Sequence, residues 1–340
     1  MTPHDTIWAA VDGLLDVAAS PTDLRAHGLH LLAVRHWREQ GLPVPAELVQ
    51  AERLASFVAL GAPAVLAEAR SAYDGPMLVL KGPELAARYP EPALRPYGDL
   101  DLLVDDAERA HAALVDAGFV PMGPPSPDDF HHLQPLHSAR FPMRVEIHTR
   151  PSWYDGAEPP RFAELLASAR PAALGVDGVL APAPAHHALL IAAHAWTHEP
   201  LGRISHLLDT ALLAAECDRA DLDDLAARWN ATRLWGTTFA VVDALLLGRG
   251  ELPPGLRLAT RKLARVEERS VLESHLWRGL APFWALPKRD AVRVTTSTFA
   301  EAVRPAPGEA WSSKARRSVV TLKHMFMRRS DHEREIGYRP

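Results

Sequence analysis

The chain has 340 residues, 47% of them hydrophobic and 23% charged, with 37 Lys+Arg against 42 Asp+Glu and a formal charge of -5. That apolar fraction excludes disorder for most of the chain, and the length exceeds one minimal domain. The acidic balance argues against a dedicated nucleic-acid binder, and a single cysteine, Cys217, excludes an internal disulfide or a multi-cysteine metal site.

The opening MTPHDTIWAAVDGLLD has no basic start followed by a long apolar run, so no signal peptide is expected. The apolar stretches Ala188–Trp196 and Phe239–Gly248 are too short to span a bilayer, so a cytoplasmic protein without a transmembrane segment is expected. Apolar spacing predicts helices over Thr6–Ala18 and Thr22–Gln40, then a third over Ala46–Ala72 interrupted near Gly61-Ala62-Pro63. Pro76–Leu80 reads as a buried strand entering a turn at Lys81-Gly82-Pro83, followed by a short helix over Pro83–Tyr89. Leu100–Val104 is a second strand, and Asp105 is the expected cap of a helix over Asp106–Ala117. A hairpin region ends in a third strand, Met143–His148. Helices then follow over Phe162–Ala169, His186–His198, Ile204–Cys217, Leu222–Trp229 and Trp235–Leu247. After Ala291 the chain turns basic, with ten Lys/Arg against five Asp/Glu.

Chemistry concentrates between Leu78 and Val104. Side chains alternate along a strand, so Asp99 and Asp101 share one face while Leu100, Leu102 and Val104 share the other. Two adjacent carboxylates repel unless a cation or strong donors lie between them, and hard oxygen ligands of this kind suit Mg²⁺ or Mn²⁺. Lys81-Gly82 offers an ammonium and backbone N–H groups to a phosphate tail, and Arg95 reads equally as a second phosphate clamp or as the partner of an acid. Glu146 and His148 share one face of the third strand. If that strand lies beside the second, Glu146 completes a three-carboxylate cluster suited to metal-assisted displacement at phosphorus, with His148 as a substrate contact.

This combination resembles the nucleotidyltransferase superfamily whose minimal core is that of DNA polymerase beta. More narrowly, it resembles the bacterial family of uncharacterised nucleotidyltransferases with Lys-Gly where the superfamily has Gly-Ser. The matching blocks are Leu80-Lys81-Gly82, Tyr89-Pro90, Arg95 through Val104, and Val145-Glu146-Ile147-His148, with a later helical stretch from His194 through Arg203 to Asp209. The resemblance implies an α/β (α+β) fold with a small mixed sheet between N-terminal helices and a C-terminal helical domain. It also implies a nucleoside triphosphate (NTP) donor with Mg²⁺ or Mn²⁺ on Asp99, Asp101 and Glu146. Lys81, Gly82, Arg95 and Gly98 stand at the positions that bind the nucleotide. The expected organisation is a helical cap over 1–60, the core over 61–155, a helical domain over 156–290 and a basic tail over 291–340.

Two rival readings stay open. The acids could belong to a catalytically inactive site that holds a nucleotide or a protein partner. His186, His187, His194 and His198, with Asp209, could instead form the site of a metal-dependent phosphohydrolase. His131, His132 and His137 read as surface or cleft residues, and the basic amphipathic stretch Lys314–Arg329 as a docked terminal helix or a membrane or nucleic-acid contact. The acidic total favours a small-molecule, peptide or sugar acceptor, with no extended nucleic-acid surface.

Overall fold

A computed structural model of the chain describes residues 2–18, 20–124, 131–154, 157–305 and 310–331. The chain opens with α1 (Pro3–Val17), where Thr2 and Asp5 form a reciprocal capping box. The single helix expected over Thr22–Gln40 is two, α2 (Pro21–Ala26) and α3 (His30–Glu39). The break falls at Gly28, with φ +70°, where a Cβ would lie 2.6 Å from Ser205 Oγ. By contrast, α4 (Ala46–Ala72) runs unbroken through Pro63. Proline removes one backbone hydrogen bond there, but Ala62, Val65, Leu66 and Ala69 are buried around it and hold the helix straight through. Gly61 leaves room for the Phe141 ring, which a Cβ would overlap. Among the described residues α4 alone is long and apolar enough to cross a membrane, a test that core helices also pass.

A mixed sheet of seven strands follows, in the order β3-β4-β5-β2-β1-β7-β6. Its centre is β1 (Met77–Val79), β2 (Asp99–Val104) and β5 (Arg144–His148), with β1 antiparallel to β2 and β2 parallel to β5. The short strands β3 (Val120–Pro121), β4 (Leu136–His137), β6 (Arg170–Pro171) and β7 (Leu180–Ala181) extend it to both sides. Helix α5 (Pro83–Ala86) follows the turn after β1, and α6 (Ala107–Asp116) lies in the crossover between β2 and β5. Asp106, not Asp105, caps α6 by accepting from the Arg109 N–H at 3.0 Å. Asp105 instead accepts the Tyr73 hydroxyl.

The period-two alternation of the strands separates two cores. Leu100, Leu102, Val104, Val145 and Ile147 pack with α4 and α6 on one face. Leu78, Leu80 and Leu103 join a larger cluster on the other, formed by α1, α3 and the later helices. Those are α7 (Phe162–Ala167), α8 (Pro184–His198), α9 (Ile204–Ala214), α10 (Arg219–Arg228) and α11 (Thr232–Leu246), then α12 (Pro254–Thr260), α13 (Val271–Leu280), α14 (Pro282–Ala285) and α15 (Lys288–Val303), after which α16 (Trp311–Lys323) follows. Helices α8 and α9 cover the sheet face that carries the acids. The cluster runs from Ile7 to Ala291, so α1, the sheet and α15 share one apolar interior.

Candidate active site

The strand pairing sets the site. In the parallel β2–β5 ladder, Asp99 lies opposite Arg144, Asp101 opposite Glu146 and Leu103 opposite His148. All six side chains therefore stand on the face turned toward α8 and α9. Asp101 is fully buried, Glu146 and His148 nearly so, and Asp99 lies at the partly open end of its strand.

Each acid has a cationic or imidazole neighbour. Lys81 Nζ is 2.8 Å from Asp101 Oδ1, and His148 Nε2 donates to the same oxygen at 3.0 Å. Arg144 bridges the other two, with Nη2 donating to Asp99 Oδ2 at 2.9 Å and Nε 3.1 Å from Glu146 Oε1. His132 Nε2 lies 3.6 Å from Glu146 Oε2, and its ring meets those of His131 and His148. Burial works to raise the Asp101 carboxyl, but Lys81 and His148 together hold it well below the usual carboxylate range. Burial also works against the Lys81 ammonium, yet Asp101, Asp99 and Glu146 raise it above its ordinary value. The site therefore holds charged groups at neutral pH.

The turn after β1 positions Lys81. Gly82 has φ +59° and ψ -120°, and a Cβ there would lie 2.7 Å from the Asp99 carbonyl oxygen. Only glycine satisfies both the backbone angle and that close approach. Leu80 is tied to β2 by its N–H bond to the Asp101 carbonyl at 2.9 Å, and its own carbonyl takes the Nε2 proton of the buried His187. Burial pushes His187 down to about 3, so the imidazole is neutral and serves as a fixed donor.

Arg95, open between a phosphate and an acid on sequence alone, meets an acid here. Its Nε and Nη2 donate to the two oxygens of Asp209 at 2.9 Å each, and Nη1 reaches the Gly82 carbonyl at 3.4 Å. Tyr89 donates its hydroxyl to Asp209 Oδ1 at 2.9 Å. The cluster staples the Lys81-Gly82 turn to α9. Gly98 lies just ahead of β2, where its carbonyl accepts the Arg144 N–H at 3.2 Å, and open space faces its α-carbon.

The histidine helix contributes differently from the metal set considered for it. His194 reaches the site, with its Nε2 3.4 Å from Lys81 Nζ. Asp209 is occupied by Arg95 and Tyr89, His187 by a backbone carbonyl, and the side chain of His198 lies outside the described residues. Among the described residues, the group able to hold a metal ion is Asp101, Glu146 and His148, whose ligand atoms all lie within 4.8 Å of one another. Asp101 Oδ2 is buried without a hydrogen-bond partner, which leaves one carboxylate oxygen available to a cation. Two carboxylates and an imidazole are a donor set that a divalent ion fits.

Arg144 is a site residue that the sequence reading did not single out, and His132, read there only as a surface or cleft residue, faces Glu146. Arg144 stands two residues before Glu146, so the alternation that grouped Glu146 with His148 places it on the same face. His132 is carried to the site by its bridge to His148, a pairing between distant residues that leaves no local pattern.

A family model described as an uncharacterised nucleotidyltransferase matches residues 22–246, from the start of α2 to the last residue of α11. No curated protein matches the chain.

Proposed function

Because the chain belongs to the uncharacterised nucleotidyltransferase family, we propose that it transfers a nucleoside monophosphate from an NTP to an acceptor nucleophile and releases pyrophosphate. The observation that carries this reading is the register of β2 against β5, which sets Asp101 opposite Glu146 with Asp99 two residues away on the same face. Asp101 and Glu146, with Asp99 at the open end, would hold Mg²⁺ or Mn²⁺, which would supply charge neutralisation for the triphosphate.

The chain's own residues do the rest. Gly82 holds the turn against β2, so Lys81 leaves Asp101 for the phosphate oxygens when the nucleotide arrives, without moving the backbone. Arg144 fixes the Asp99 and Glu146 carboxylates relative to each other. The acceptor attacks the α-phosphorus in line with the departing pyrophosphate, and its proton passes to Glu146 Oε2, beside the His132 and His148 imidazoles. Preorganised charge and alignment supply most of the rate. The acidic surface balance favours a small-molecule, peptide or sugar acceptor.

The test is incubation of the protein with each α-labelled NTP, Mg²⁺ or Mn²⁺ and panels of hydroxyl, phosphate and amine acceptors. Label appearing on an acceptor with stoichiometric pyrophosphate, and absent with Asp99→Asn, is the expected result. Release of inorganic phosphate in place of pyrophosphate would point to a phosphohydrolase. Nucleotide binding with no release of either would point to a binding protein.

A further inference from the structure

Arg203 precedes α9 directly, at the junction with the loop that follows α8, and is half-buried. Its Nε is buried and has no hydrogen-bond partner, and among the described residues no salt bridge reaches its guanidinium. An Nε in that state is unusual, because buried donors are nearly always satisfied. The two carboxylates that act on it are taken by other arginines. Glu199 lies 3.0 Å from Arg329, and Asp209 is held at 2.9 Å by both arms of the Arg95 fork. Burial draws Arg203 below its ordinary range, Glu199 opposes this, and Arg95 adds to the fall.

Among the described residues, the carboxylates that act on Arg203 are these two, Glu199 and Asp209. His206, one turn along α9, has its ring 6.2 Å from that of His194, and His194 meets Lys81. His30, on α3, is pushed down to about 4 by burial, then by Arg25 and Arg203. Backbone at Gly28 closes the other side, where a Cβ would come within 3.5 Å of Arg203 Nη2. A run of basic groups thus leads along α8 and α9 from the Lys81 turn to Arg203.

We infer that Arg203, with His206 and His194, binds a phosphate group during the reaction and extends the cationic wall that Lys81 begins. The inference rests on the nucleotidyl-transfer reading and adds a binding residue to it. The phosphate has two sources, the distal phosphates of the NTP or a phosphate carried by the acceptor. In either case the fork-shaped guanidinium gives two parallel hydrogen bonds to one phosphate.

The test uses the full chain as wild type, Arg203→Gln and Arg203→Lys, titrated calorimetrically with inorganic triphosphate. Inorganic phosphate is then added to the triphosphate-saturated protein. If the NTP tail is the ligand, the triphosphate Kd rises about tenfold or more in Arg203→Gln and less in Arg203→Lys. If the acceptor carries the phosphate, triphosphate binding is unchanged and the second titration shows phosphate binding that Arg203→Gln loses. Thermal unfolding of the ligand-free proteins gives a separate readout. Removing an unpaired half-buried charge leaves Tm unchanged or raises it, whereas a fall of several degrees would make Arg203 structural and overturn the inference. Equal affinity of wild type and Arg203→Gln for both probes also overturns it. In that case nucleotidyl transfer by the wild type would leave the functional reading standing. Conversely, Arg203-dependent triphosphate binding without any transfer would sink the functional reading and keep the site.

Discussion

On one side of the Lys81-Gly82 turn, Asp209 has both oxygens filled, by the Arg95 fork and the Tyr89 hydroxyl. On the other side, Asp101 is just as buried, but Lys81 and His148 converge on one oxygen and leave the second without a partner. The two clusters use the same chemistry, a buried carboxylate against a cation, and differ in how completely the acid is satisfied. Complete satisfaction fixes geometry, and the Arg95 cluster ties the turn to α9. Incomplete satisfaction keeps a coordination position ready for a cation, as expected where function is placed ahead of stability. Asp99 and Glu146 share one arginine between them, and Glu146 also faces His132.

The largest effect expected is on the satisfied cluster. Asp209→Asn leaves the Arg95 guanidinium buried and unpaired, and is expected to remove about 3–5 kcal/mol of folding stability in urea denaturation. The double variant Arg95→Met/Asp209→Leu should recover much of that loss, because an apolar pair of similar volume replaces both charges. A loss below about 1 kcal/mol in the single variant would break the comparison. Gly82→Ala comes next. The strained φ and the contact with the Asp99 carbonyl should lower stability by about 1–3 kcal/mol and reduce transfer by about tenfold or more as Lys81 shifts. Normal turnover in a well-folded Gly82→Ala protein would remove the turn from the mechanism.

The smallest effect is a pH dependence that separates two buried groups. His187 sits at about 3 in the folded protein, against about 6.5 when unfolded. The unfolded chain therefore binds the extra proton first, and this part of the stability is complete above about pH 6.5 and lost as pH falls toward 3. Asp101 is also depressed, so its contribution is present above about pH 4 and lost only below that. His187→Gln should flatten the stability curve between pH 6 and about 4, and Asp101→Asn the limb below it. Identical curves for both variants and wild type would contradict these environments.

The faces of the strands were legible because alternation is a local rule: Asp99 with Asp101, and Glu146 with His148, follow from spacing alone. The register joining them was readable only as a condition, since pairing across a crossover depends on the whole sheet. The contacts that change the reading of single residues are non-local. Arg95 meets Asp209 across 114 positions and Lys81 meets His194 across 113, and no local pattern carries either. Hence spacing left Arg95 open between a phosphate and an acid until Asp209 was placed beside it, and it left the histidine helix open as a rival metal site although one of its members lies beside Lys81. At the level of elements, Gly28 split a helix that apolar spacing joined, through a close approach to α9. Pro63 failed to split one because burial on both sides outweighed a lost hydrogen bond.

One measurement bears most directly on the open oxygen of Asp101. Calorimetric titration of each NTP into wild type, Asp99→Asn and Asp101→Asn, with and without Mg²⁺ or Mn²⁺, should show saturable binding that needs the cation and vanishes in both variants, each checked for fold by circular dichroism. Cation-independent binding that persists in a folded Asp101→Asn protein would mean that this carboxylate is structural after all, and that the contrast with Asp209 does not mark the active site.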